Sequence, residues 1–259
     1  MINTPGTVAL PTSEIGRFAL FTISLASTQR PDDTNLCVMA SASVTENINA
    51  AIRQMRKHDK WLWILGDDHV WPNDCLLNLL NTLEEHPEID ILVPLVVKRN
   101  PPWHLVIFHD AGTYSPDTVH ANGGDASGYP QWKPYTWDEV PPCGVFEIDA
   151  AGSAGMLIKK EVLDKIGDPW FASTDGVFLN EDVMFCTKAK EAGFKIYATA
   201  DMTMGHLGIF NVRPLYKQDD NGVGRWGALA EFSSPEEQYR HLFMPDVESG
   251  QHPSTVSGR

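Results

Sequence analysis

The chain has 259 residues, of which 42% are hydrophobic and 21% charged, enough for one large α/β domain or two small ones with a real core. Its formal net charge of −14 argues against a general strategy of phosphate-backbone attraction and suits a cationic ligand such as a divalent metal. No apolar run approaches the roughly 20 residues of a membrane helix. Met1–Ser13 shows no secretory signal, and the four scattered cysteines form no Cys-x-x-Cys pair, so the protein is expected in the cytoplasm.

In chain order, residues 1–16 read as a loose leader, because Pro5, Pro11 and small polar residues dominate them. Arg17–Leu25 is apolar and predicts a first strand. Ser43-Val44-Thr45-Glu46 fits a capping box and opens a helix with Ile48, Ala51, Ile52 and Met55 on one face. Trp61–Leu65 is a short continuous apolar run, as in strands buried on both faces. Gly66-Asp67-Asp68-His69 ends it. A second helix carries Leu76, Leu79, Leu80 and Leu83, and Ile89–Val97 supplies another buried strand. This alternation predicts parallel β-α units, whose ligands sit beyond the carboxyl ends of the strands.

Residues 100–145 change character, being rich in Pro, Gly, Trp and Tyr, and read as a functional insertion. Strands are predicted at Val145–Ile148 and Ala154–Ile158, helices at Lys159–Ile166 and Asn180–Ala192, and a last core strand at Phe194–Thr199, with Met202–Leu207 after it. Beyond Pro214 the polar composition predicts a tail or lid.

Three places carry chemistry. Asp67-Asp68-His69 sets two carboxylates beside an imidazole, a repulsion that a divalent cation relieves. Taken alone it also reads as an acidic turn. Glu181-Asp182 starts a helix, where acids favour the dipole but a carboxylate also serves as a general base. His206, between Gly205 and Leu207-Gly208, is either an ordinary histidine or a distant third metal ligand.

Their order resembles GT-A glycosyltransferases, particularly small bacterial and phage-type members of glycosyltransferase family 2. The matching segments are Trp61–Pro72, Ala151–Ile166 with Pro169-Trp170-Phe171, Asn180–Gly193 and Gly205-His206. The resemblance implies an α/β GT-A fold: Rossmann-like, a mostly parallel sheet flanked by helices, one domain over 17–212, with an acceptor-side insertion at 100–145 and a tail or lid at 213–259.

It further implies transfer of a hexosyl or pentosyl group from a UDP-sugar or GDP-sugar to a hydroxyl acceptor, with Mn²⁺ or Mg²⁺ as cofactor. The acceptor class stays open among glycans, small molecules and modified nucleobases; a phage-encoded protein would act in the host cytoplasm. The family's Asp-x-Asp metal motif matches in two registers, Gly66-x-Asp68 or Asp67-x-His69, with His206 resembling a distal ligand. By the same match Asp182 is the base of an inverting reaction with Glu181 as neighbour, and Gly152 and Gly155 line the sugar pocket. Lys98 and Arg99 are candidates for donor phosphates. A retaining enzyme, a nucleotidyltransferase and an inactive nucleotide- or glycan-binding module are the alternatives.

Overall fold

The computed structural model describes residues 3–12, 19–40, 43–114, 130–172, 180–208, 210–219, 222–232 and 241–245. Its centre is a seven-stranded sheet. The first strand, β1 (Gly6–Thr12), is buried along its whole length and lies between β2 (Thr34–Ala40) and β3 (Trp61–Ile64), parallel to both. The expected loose leader is therefore corrected over Gly6–Thr12, which is an interior strand. Pro11 is tolerated there because β3 pairs only as far as Ala9, so no hydrogen bond to β3 is lost.

Arg17–Leu25, expected as a strand, is corrected to helix α1 over Ala19–Ser27, with Phe21 and Ser24 buried one helical turn apart. Helix α2 (Val44–Arg53) follows β2; Ser43 accepts from the Glu46 backbone N–H, while the Glu46 side chain pairs with Arg53 instead of closing the capping box. After β3 come the short strand β4 (His69–Val70) and helix α3 (Cys75–Glu85), whose Leu76, Leu79, Leu80 and Leu83 are all buried, as their spacing predicts.

Strand β5 (Ile91–Leu95) precedes the 100–145 region. There, β6 (Ile107–Thr113) and β7 (Pro130–Pro134) pair antiparallel, and a 3-10 turn spans Trp137–Glu139. Residues 115–129 of the expected insertion lie outside the described residues. The chain continues through β8 (Val145–Ile148), β9 (Ala150–Ala151), β10 (Leu157–Lys159), α4 (Lys160–Ile166), α5 (Glu181–Glu191), β11 (Ile196–Thr203) and β12 (Gly205–Leu207).

The central sheet has the order β2-β1-β3-β10-β5-β11-β8. Strands β2, β1, β3, β5 and β11 run one way, and β10 and β8 run against them. Alternate residues serve two cores. Ala9, Leu62 and Ile64 pack with Ile48 and Ile52 of α2 and Phe185 of α5. Val8, Leu10, Trp61 and Trp63 pack with Phe21 of α1 and the α3 leucines. Helices thus cover both faces, which explains why β3 reads as an unbroken apolar run.

The region beyond Pro214, expected as a polar tail or lid, holds strands where it is described: β13 (Phe210–Gln218) runs into it, and β14 (Gly224–Phe232) and β15 (His241–Pro245) follow; residues 233–240 and 246–259 lie outside the described residues. The three strands join β12 and β4 in a five-stranded sheet of order β15-β14-β13-β12-β4. This second sheet is what brings residue 206 to residue 69. Among the described residues, no helix is long and apolar enough to cross a membrane.

Candidate active site

Chain segments separated by more than 130 residues meet where β3 ends. The two-residue strand β4 pairs antiparallel with β12, putting His69 directly opposite His206. Their rings stack with centroids 4.2 Å apart. Asp68 stands beside both: Oδ1 is 2.7 Å from His69 Nδ1, and Oδ2 is 3.1 Å from His206 Nε2. The ligand atoms of Asp68, His69 and His206 all lie within 4.8 Å of one another.

The donor set fits a metal ion. His206 Nδ1 is 2.9 Å from the carbonyl oxygen of Val97, to which it donates its proton. In the neutral ring this leaves the Nε2 lone pair facing an Asp68 oxygen, a contact that a cation bound between the two atoms would relieve. His69 is buried, and neither ring nitrogen has a hydrogen-bond partner among the described residues; the close Asp68 contact lacks hydrogen-bond alignment. Burial pushes the His69 pKa down, which keeps the imidazole neutral, the form that ligates metal. Burial opposes ionisation of Asp68, but the adjacent His206 and His69 rings outweigh it and hold the carboxyl well below the usual carboxylate range.

Gly66 is part of this geometry. A Cβ there would stand 2.6 Å from His69 Nδ1 and 3.0 Å from Asp68 Oδ1. An aspartate at position 66, which the familiar Asp-x-Asp pattern would put there, has no room. Asp67 turns elsewhere: its Oδ2 accepts a 2.6 Å hydrogen bond from Thr12 at the end of β1. The structure therefore gathers Asp68, His69 and His206, and leaves Asp67 outside that group.

A cavity of about 160 Å³ opens beside the three residues. His69 and His206 line one part of it, and Gly152, Ser153 and Asp182 another, with Val93, Val96 and Val106 among its apolar walls. Asp182 is half-buried at the start of α5, where Oδ1 accepts from the Val183 backbone N–H. Burial, reinforced by the negative charge of Glu181, pushes its pKa up to about 7. A Cβ at Gly152 would touch Val106 Cγ1 at 2.5 Å and approach Asp182 Oδ2 to 3.5 Å, so glycine leaves space beside that carboxyl.

Gly155 has φ +79° and packs against Pro94 and Met204, a backbone requirement of the β3–β10 junction rather than a wall of the cavity. Arg99 Nη1 reaches Asp68 Oδ2 at 3.2 Å. Lys98 is exposed, and its backbone N–H bonds to His104. The sequence held no sign of the Val97 carbonyl that orients His206, nor of Val106; both roles depend on how β5 and β6 approach β12.

No protein-family model matches the sequence, and no curated protein matches it. Solved structures do. A197 from STIV superposes with a TM-score of 0.52 at 16% identity, covering 96% of this chain and all of A197. GalNAc-T7, solved with UDP, GalNAc and Mn²⁺, superposes with a TM-score of 0.53 at 13% identity; the match covers 80% of this chain and 44% of that one. Both neighbours are GT-A-type glycosyltransferases, and this chain has their fold.

Proposed function

We propose that this GT-A chain is a metal-dependent glycosyltransferase that moves a sugar from a nucleoside diphosphate sugar to a hydroxyl acceptor. The observation that carries the reading is the single cavity shared by His69, His206, Gly152 and Asp182. A metal group on one side and a carboxyl of raised pKa on the other are what such a transfer needs.

Asp68, His69 and His206 would hold the divalent ion. Two imidazoles favour Mn²⁺ over Mg²⁺, which prefers an all-oxygen shell. When bound, the ion acts as a Lewis acid toward the leaving diphosphate. Arg99, already beside Asp68, offers its guanidinium to phosphate oxygens. Asp182 takes the proton of the acceptor hydroxyl, so attack comes from the face opposite the leaving group and the anomeric centre inverts. Gly152 lets the substrate approach that carboxyl closely. The valine walls keep water away from it, which strengthens the electrostatics inside. Donor nucleotides are UDP or GDP.

The test is calorimetry with UDP and GDP, with and without Mn²⁺, followed by a hydrolysis screen of UDP- and GDP-sugars. Metal-dependent binding with turnover of one donor is expected. Binding without turnover of any donor would make the chain a nucleotide-binding module instead. An NMR time course of the product anomer checks the role of Asp182, since retention of configuration would remove it.

A further inference from the structure

A second cavity, of about 330 Å³, lies between the 3-10 turn and the β13–β14 hairpin. It is twice the size of the catalytic cavity and falls in the range of small-molecule sites, roughly 300–1,000 Å³. Half-buried Tyr216 lines it above the core residues Trp137 and Trp226, together with the exposed charged residues Asp138 and Arg225.

Its aromatic lining is fixed in place. Tyr216 and Trp226 are direct cross-strand partners with ring centroids 5.3 Å apart. The indole N–H of Trp226 donates to the Pro141 carbonyl at 3.0 Å, which locks the ring. Tyr216 lies across Gly224, where a Cβ would collide with the phenol hydroxyl. A phenol ring held rigid by two buried indoles and bordered by one carboxylate and one guanidinium matches a sugar ring, whose C–H faces pack on aromatics and whose hydroxyls both donate and accept. The net charge of −14 weighs against a nucleic acid in the same place.

The cavity is also on the sheet that carries the metal group. Strand β13 pairs Val212 with His206, and Tyr216 follows four residues later. At about 3.3 Å per residue, Tyr216 is about 13 Å along the strand from that pairing. We propose that this cavity is a carbohydrate subsite that holds an acceptor oligosaccharide by sugars remote from the reacting hydroxyl. The acceptor role rests on the glycosyltransferase reading; the capture of saccharide does not. Binding energy from such remote sugars is a common source of acceptor selectivity.

The test is binding of the full chain, without donor or metal, to an array of immobilised di- to hexasaccharides. One class of oligosaccharide is expected to bind, and Arg225→Ala and Asp138→Asn are each expected to weaken it roughly tenfold, as for a lost charge-assisted hydrogen bond. Both side chains are exposed, so thermal unfolding of the variants should match the wild type. No saccharide binding by the wild type, or binding indifferent to both substitutions, overturns the proposal. Donor hydrolysis by the wild type is measured in parallel. Saccharide binding through Arg225 without donor turnover would uphold the subsite and sink the transferase reading.

Discussion

His69 and His206 stack ring on ring, 4.2 Å between centroids and 24° between planes, as direct partners across the β4–β12 ladder. Two such rings do not readily both carry positive charge, and Asp68 touches a nitrogen of each. A single cation shared by the three side chains resolves the contact better than separate ion pairs.

His206→Ala should therefore abolish Mn²⁺ binding. Outer-sphere partners of metal sites carry about 10–100-fold in affinity, so loss of a direct ligand should weaken binding by more than about 100-fold. Calorimetric titration with Mn²⁺ measures this. Wild-type affinity in the variant would remove His206 from the site.

Asp67 and Asp68 are neighbours with separate duties, and substitution should tell them apart. Asp68→Asn is expected to lose Mn²⁺ binding. Asp67→Asn keeps an oxygen able to accept from Thr12 and should stay within a few-fold of wild type, roughly the weight of one hydrogen bond. Equal losses in both variants would mean that the metal draws on Asp67 as well.

Gly66→Ala is a steric test of the same cluster. The added methyl would meet His69 Nδ1 at 2.6 Å, inside normal contact distance. Gly66 has no left-handed backbone, so the cost falls on the His69 ring and not on the turn. Mn²⁺ affinity should fall about tenfold, the lower end of what misoriented ligands lose, while circular dichroism stays that of the wild type. Unchanged affinity would show that His69 does not hold the ion.

These side chains were legible in the sequence as residue types, but not as a coordinate set. The end of a buried strand is visible in Trp61–Leu65, because five apolar residues followed by Gly-Asp-Asp leave few alternatives. The four α3 leucines likewise report a helix face that packs as expected. The metal register was not readable, since it depends on the turn after Gly66 sending Asp67 toward Thr12 and Asp68 toward His206. Local pattern failed where tertiary context decides. Residues 17–25 are mostly apolar, which fits strand and helix alike, and only the burial of Phe21 in the second core, with Ser24 buried one turn on, selects helix. Pro5 and Pro11 conceal β1, whose place between β2 and β3 comes from long-range pairing. The polar look of residues after 214 conceals β14, where Trp226, Ala228, Leu229 and Ala230 are all buried.

Asp182→Asn separates stability from activity. The carboxyl's pKa of about 7, against an ordinary 3.8, arises first from burial and then from Glu181. Between those values the folded chain keeps a proton that the unfolded chain releases. Stability from this group is therefore complete below about pH 4, declines as pH rises toward 7, and is flat above. At about 1.4 kcal/mol per pKa unit, the penalty at pH 8 is a few kcal/mol. Asparagine has the same shape and no charge to bury, so the variant should unfold later than wild type at pH 8 and show no such advantage at pH 4. Urea denaturation at the two pH values measures the difference; a difference that ignores pH would refute the burial of this carboxyl. Sugar transfer by the same variant should fall by about 10²–10⁴-fold, the usual weight of a general base, with Mn²⁺ affinity retained. That combination, a more stable protein that binds its metal and transfers no sugar, is what a carboxyl held at a cost in stability for proton transfer requires.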